Sequence, residues 1–211
     1  MNKRRKWFVI MPIILFAMLA VCVRANISSP FEGWAYGEAV EDMTPSLTMA
    51  MKVITYLGDS IVIISFCLIL FIIPKLKKTI ALPMSIAVIS STALNILLKQ
   101  VFARARPDIL RLINETGYSF PSGHAMINAS LYTMLILMIW KYVKNTPLKV
   151  SLSAICAVLT ILIGCSRVYL GVHYAGDVLG GWLFGFAISI CIYYLWDDKF
   201  LKKNRKADLS D

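Results

Sequence analysis

The sequence predicts an all-α fold, a six-transmembrane-helix bundle with both termini cytoplasmic, and three observations predict it. Apolar residues fill 58% of the 211 positions and charged residues only 16%, with a mean hydropathy of +0.70. A soluble domain of this length has too little interior to bury that much apolar surface. Six runs are also long and apolar enough for a hydrocarbon layer, which takes roughly 20 residues, and basic residues gather at alternate ends of them.

In chain order, Lys3, Arg4, Arg5 and Lys6 precede the first run, Trp7 to Ala25. It is expected to remain as an anchor, because Val21 and Val23 are bulky where cleaved leaders carry small residues. A first outer loop, Asn26 to about Lys52, holds Glu32, Glu38, Glu41 and Asp42 beside Phe31, Trp34 and Tyr36. Aromatic residues there suit headgroup anchoring, or else a short amphipathic element at a lateral entrance for lipid. The second run, Ile54 to Ile73, meets the third, Ile80 to Leu98, at a short turn carrying Lys75, Lys77 and Lys78.

From Lys99 to Pro121 the chain is polar and broken by Pro107, Gly117 and Pro121. The fourth run, Gly123 to Trp140, and the fifth, Leu148 to Cys165, are joined by a basic turn with Lys141, Lys144 and Lys149. The sixth, Tyr174 to Trp196, is followed by Lys199, Lys202, Lys203, Arg205 and Lys206. Six spans leave room for one membrane domain over residues 1–211 and no soluble appendage. Gly176, Gly180, Gly181 and Gly185 recur at four-residue spacing, which suits close helix packing inside the bundle better than homodimerisation; oligomeric state is otherwise not encoded in any motif.

The net charge of +10 follows the positive-inside rule and so reflects topology, with no nucleic-acid partner implied. Arg24, Lys52, Lys99, Arg104, Arg106, Arg111 and Arg167 fall on the opposite face. Four of these lie between Lys99 and Arg111, against the rule, and an anion-binding site on the outer face accounts for them. Cys22, Cys67, Cys156, Cys165 and Cys191 sit in or at the ends of spans, with no disulfide framework or metal spacing.

The chain has only two histidines, and each lies in a polar cluster at the outer end of a span: Pro121-Ser122-Gly123-His124, and Ser166-Arg167 with His173 and Asp177. Ser122 is a candidate N-cap, leaving free amides and the positive end of a helix dipole for an anion, and Gly123 admits an oxygen closely. Lys99, Arg106 and Arg167 add three cations, the arginines able to grip oxygens bidentately. A phosphoryl group in transfer spreads charge over three equatorial oxygens, which such a cradle favours. Four residues apart, His173 and Asp177 would share a helix face, so that the carboxylate orients the ring for nucleophilic attack. His124 would then act as acid toward the leaving oxygen and as base toward water.

Lys99 with Arg106-Pro107, then Pro121-Ser122-Gly123-His124, then Ser166-Arg167 with His173 and Asp177 resembles the complete three-part signature of the type 2 phosphatidic acid phosphatase superfamily. The match covers residues 99–177, and the small size and short loops are most similar to bacterial members. The resemblance implies an integral membrane lipid phosphatase, needing no cofactor or metal, with its active site at the extracytoplasmic face of the cell membrane. Its substrate would be a lipid phosphomonoester or pyrophosphate such as phosphatidylglycerophosphate, phosphatidic acid or undecaprenyl pyrophosphate, met within the lipid bilayer. It implies a phosphohistidine on His173, with His124 and Asp177 catalytic and Lys99, Arg106, Ser122, Gly123 and Arg167 binding substrate. Asp108 and Glu115 are the only acidic residues of the second outer segment, too few for a two-metal arrangement. Two other classes fit the motifs less well: a vanadate-dependent haloperoxidase-like enzyme, which six apolar spans disfavour, and a non-catalytic lipid-phosphate binding or transport protein, in which His173 would stand idle.

Overall fold

Residues 3–41 and 43–198 are described by a computed structural model, and among them all regular structure is helical. The helices are α1 (Lys3–Arg24), α2 (Ser29–Glu41), α3 (Pro45–Leu57), α4 (Ser60–Ile72), the single turn α5 (Pro74–Leu76), α6 (Leu82–Phe102), α7 (Gly123–Tyr142), α8 (Thr146–Tyr169) and α9 (Ala175–Trp196). Five described segments are long and apolar enough to cross a membrane, six if the bent pair α3–α4 counts as one. Asp42 and the basic residues from Lys199 to Lys206 lie outside the described residues.

The expected runs correspond to α1, α6, α7, α8 and α9 within a few residues, but the second needs correction. In place of a straight helix from Ile54 to Ile73, the chain bends by 44° between α3 and α4. Local chemistry explains the break: Gly58 caps α3, and the Asp59 carboxylate accepts the Ile61 amide at 3.1 Å and starts a new helix. The expected turn at Pro74 to Lys78 is also helical. Pro74 opens α5, and a π-helical stretch, Lys77–Ala81, runs on into α6. The first outer loop is largely helical too, with Thr44 capping α3 ahead of Pro45.

At the centre lies α7, between α6, α8 and α9, with Ala125, Met126, Ala129, Met134 and Met138 withdrawn from the surface. Against α9 the approach is as close as backbone allows. A methyl group at Gly185 would strike the Met126 carbonyl, and one at Gly181 would come within 2.7 Å of the Ser122 carbonyl. The glycine spacing therefore serves packing within one chain. Lower in the same interface Ser130 and Ser189 hydroxyls lie 2.7 Å apart, and Ser189 donates to the Ser130 carbonyl at 2.6 Å. Phe16, Phe102 and Phe184 surround the fully buried Phe120, with ring centroids 4.9 Å apart for Phe102 and Phe120. That cluster braces the turn leading through a cis Phe120–Pro121 bond into α7.

Candidate active site

The irregular segment 103–122, the first turn of α7 and the α8–α9 connection meet at one end of the bundle. The Ser122 amide donates to the Asp177 carbonyl at 2.9 Å, and the Leu112 amide to Leu170 at 3.0 Å. As N-cap, the Ser122 hydroxyl accepts from the Ala125 amide at 3.4 Å. Asn95 of α6 donates to the Pro121 carbonyl at 3.1 Å and lies against Gly123, where its side-chain oxygen would be 3.1 Å from an added methyl group. Asn128 donates at 2.9 Å both to the His124 carbonyl and to Gly58, tying the first turn of α7 to the α3–α4 bend.

His173 and Asp177 meet, but in a different way from the one expected. His173 lies in the connection before α9, and Asp177 is the third residue of that helix. They therefore do not share a helix face. Asp177 Oδ2 accepts the Tyr174 amide at 2.9 Å as a helix-capping carboxylate and stands 3.5 Å from His173 Nδ1. Ser119 fills the gap: its hydroxyl donates to Asp177 and lies 3.2 Å from Nδ1. With acceptors on that side, the ring proton is assigned to Nδ1, which leaves Nε2 as the lone-pair acceptor. Nε2 faces Arg106 Nη1 at 3.1 Å. Burial pushes the His173 pKa from 6.5 down to about 4 against the pull of Asp177, so the ring is neutral at neutral pH.

Arg106 is held by the carbonyls of Gly117, Val172 and Thr116 at 3.0, 2.9 and 2.8 Å. Burial lowers its pKa, yet guanidinium stays charged throughout the working range. Arg167, only 1% exposed, donates to Thr55 at 2.8 Å and to the Glu115 carboxylate. Its Nε is buried with no acceptor among the described residues, so it can take a further oxygen. The Lys99 ammonium donates to the Tyr118 carbonyl and has Arg106, Asp177, Glu115 and Arg167 as charged neighbours. Charges of Arg167, Glu115, Asp59 and Arg106 act on the His124 ring. Both imidazoles thus share Arg106 and Arg167 as neighbours, and all eight predicted residues belong to one end of the molecule.

Several participants were not anticipated. Arg104 and Arg111 were grouped with the anion site from their sequence position alone. Arg104 instead pairs with two carboxylates, Glu32 at 2.6 Å and Asp177 at 2.7 Å. Burial would lower its pKa, but the hydrogen bond it donates to Glu32 and the charge of Asp177 raise it. Arg111 donates to its neighbour Pro107 at 2.7 Å. Glu32, read as one of several outer-loop acids, is buried, and Ser119 carried no motif. For Glu115, burial favours the neutral acid, but the charge and hydrogen bond of Arg167 hold its pKa below the usual range. Among the described residues no three His, Cys, Asp or Glu side chains converge as metal ligands.

Residues 80–201 match the model of the PAP2 superfamily. The chain is 32% identical over 206 residues to phosphatidylglycerophosphatase B of Bacillus subtilis, covering 92% of this chain and 96% of that protein. An undecaprenyl-diphosphatase of Sulfolobus acidocaldarius is 31% identical over 128 residues, 57% of each chain. Among solved structures, a transmembrane PAP2 type phosphatidylglycerolphosphate phosphatase from Bacillus subtilis superposes with a TM-score of 0.81 at 31% identity, over 92% of this chain and 98% of that one. LpxE of Aquifex aeolicus gives 0.63 at 29% identity, over 75% and 92%. A family model spanning more than half of the sequence, and a relative and a helical frame that match nearly all of it, place this chain in the PAP2 superfamily.

Proposed function

We infer that the protein is an integral membrane lipid phosphatase, a hydrolase of phosphoester bonds in lipid substrates. One observation carries the chemistry: a buried neutral imidazole, His173, presents Nε2 to the Arg106 guanidinium and has its other nitrogen bonded toward Asp177 through Ser119. That is the arrangement of an oriented nucleophile beside a site for anionic oxygens. We assign His173, His124 and Asp177 catalytic roles, and Lys99, Arg106, Ser122, Gly123 and Arg167 the binding of the phosphoryl group. A single membrane domain over residues 1–211, in the cell membrane with the site facing outside the cytoplasm, belongs to the same proposal.

Nε2 of His173 attacks phosphorus in line with the leaving oxygen. The P–O bond breaks as His124, carrying a proton taken up beside the bound anionic phosphate, gives that proton to the departing alcohol or phosphate. Positive charge on the phosphohistidine ring stays there and is stabilised through Nδ1–H and the Ser119 hydroxyl by Asp177, which Arg104 holds in place. His124, now a base, takes a proton from water; the hydroxyl oxygen bonds to phosphorus, the N–P bond breaks, and inorganic phosphate leaves. Every step uses side chains of this chain and none needs a metal. EDTA should therefore leave the rate within about twofold, whereas a strict Mg²⁺ requirement would contradict the assignment.

The relative matching nearly all of the chain is named for phosphatidylglycerophosphate and a second for an undecaprenyl diphosphate. The deciding experiment is phosphate release by purified protein from phosphatidylglycerophosphate, phosphatidic acid, undecaprenyl pyrophosphate and a water-soluble diphosphate. At least one lipid should be turned over far faster than the soluble diphosphate, and His173→Ala should abolish release. Equal turnover by the variant would remove the nucleophile.

A further inference from the structure

The geometry points to Glu115 as a resident counter-anion of the phosphate cradle, a carboxylate that neutralises Arg167 and Arg106 between turnovers and is exchanged for the phosphoryl group when substrate binds. This rests on the phosphatase reading above and adds a residue that the three-part motif does not contain.

One carboxylate oxygen of Glu115 bonds Arg167, and the other lies 3.7 Å from Arg106. Those arginines are the cations already assigned to phosphoryl oxygens, so carboxylate and substrate compete for the same donors. Exposure is graded across the group: Arg167 is 1% exposed, Arg106 7% and Glu115 27%. The cations are fixed inside while the anion sits at the mouth. Glu115 belongs to the irregular segment 103–122, so its side chain can swing outward without breaking a helix. The next two residues stay anchored, because Arg106 holds the Thr116 and Gly117 carbonyls. A guanidinium as deeply buried as Arg167 is costly without an opposite charge, which Glu115 provides before substrate arrives. A phosphoryl dianion, with more charge and more oxygens, outcompetes one carboxylate for bidentate donors. Once hydrolysis is complete, return of Glu115 helps to expel inorganic phosphate.

The test compares wild type with Glu115→Gln, which keeps the shape and removes the charge. Vanadate should inhibit the variant with a Ki lower by about tenfold or more, the equivalent of about 1.4 kcal/mol. KM should fall, kcat should fall as phosphate release slows, and the vanadate-induced rise in unfolding temperature should be larger than in wild type. Glu115→Asp should return all four quantities toward wild type. A second variant, Glu115→Ala, should bind vanadate tightly until acetate is added, whereas acetate should have little effect on wild type. A vanadate Ki that is unchanged or raised in Glu115→Gln, or the same acetate response in Glu115→Ala and wild type, would overturn the proposal. If the wild-type protein itself releases no phosphate from any lipid, the phosphatase reading fails instead.

Discussion

Ser119 stands between the ring of His173 and the carboxylate of Asp177, so its hydroxyl tests how the nucleophile is held. Ser119→Ala removes one donor to a buried carboxylate and one acceptor for Nδ1–H. Hydrogen bonds to charged groups contribute about 1.5–3 kcal/mol, so kcat should fall about 10- to 100-fold with KM little changed, and Ser119→Thr should recover much of the loss. A variant as fast as wild type would mean that Asp177 orients the ring unaided from 3.5 Å. The ring also sets a pH limit. Its folded pKa, about 4, lies below the 6.5 of a free imidazole. The stability contributed by its neutral form is therefore complete above about pH 6.5 and is lost as pH falls toward 4. The acid limb of kcat/KM, corrected for ionisation of the substrate phosphate, should accordingly lie below about pH 5; a limb at 6.5 would mean a solvated ring. The eight residues assigned to the site could be singled out in the sequence because each belongs to a short spacing around a helix end. Ser119, Arg104 and Glu32 could not: Glu32 and Arg104 are 72 positions apart, and a hydroxyl that relays a contact has no spacing of its own. Only the excess of cations against the positive-inside trend hinted at Arg104, and it misassigned the partner.

At the scale of helices, the proposed catalysis depends on how closely α7 meets α9, because Gly123 and His124 open α7, with Ser122 as its N-cap, while α9 carries Asp177. Gly181 and Gly185 set that distance against backbone, which cannot rotate away as a side chain can. Gly185→Leu should separate the helices, with an overpacking cost of about 1–3 kcal/mol. It should also slow turnover about 100-fold, the loss that a 1 Å misplacement can bring. Unfolding temperature in detergent and kcat measure the two effects, and an unchanged kcat would show that the site tolerates a displaced α7. Hydropathy alone made α1, α6, α7, α8 and α9 legible. The break between α3 and α4 was not legible, since both halves are apolar and the interruption is two residues, Gly58 and Asp59, whose capping role appears only when helices start and stop there. Nor was α2 legible as a helix tied to the site: one buried glutamate in a stretch otherwise exposed or half-buried leaves no periodic trace, although through Arg104 it reaches Asp177.

Across the whole molecule the charges divide by function, and that division supports an orientation. Arg5, Lys141, Asp197 and Asp198 gather where α1 begins and α9 ends, at the opposite end of the bundle from His173, with Arg5 3.1 Å from Asp198 and Lys141 paired to Asp197. Lys75, Lys77 and Lys78, at the start of the third span, lie toward that end as well. The site end is basic too, and several of its cations are engaged: Arg104 by Glu32 and Asp177, Arg167 by Glu115, Arg106 and Lys99 by backbone carbonyls. The positive-inside rule counts Lys and Arg near the ends of spans; Lys3, Arg4, Arg5, Lys6, Lys75, Lys77, Lys78, Lys141, Lys144 and Lys149 outnumber the seven basic residues assigned to the site face, which supports the proposed orientation with the phosphate site facing out. Intact cells producing the protein should then hydrolyse a water-soluble, membrane-impermeant short-chain lipid phosphate as fast as permeabilised cells do. An impermeant thiol reagent should label Asp108→Cys, in the segment beside the site, and spare Lys144→Cys, in the turn between α7 and α8, both read above the labelling of the parent chain. Hydrolysis that requires permeabilisation, together with the reverse labelling, would put the site in the cytoplasm and overturn the orientation.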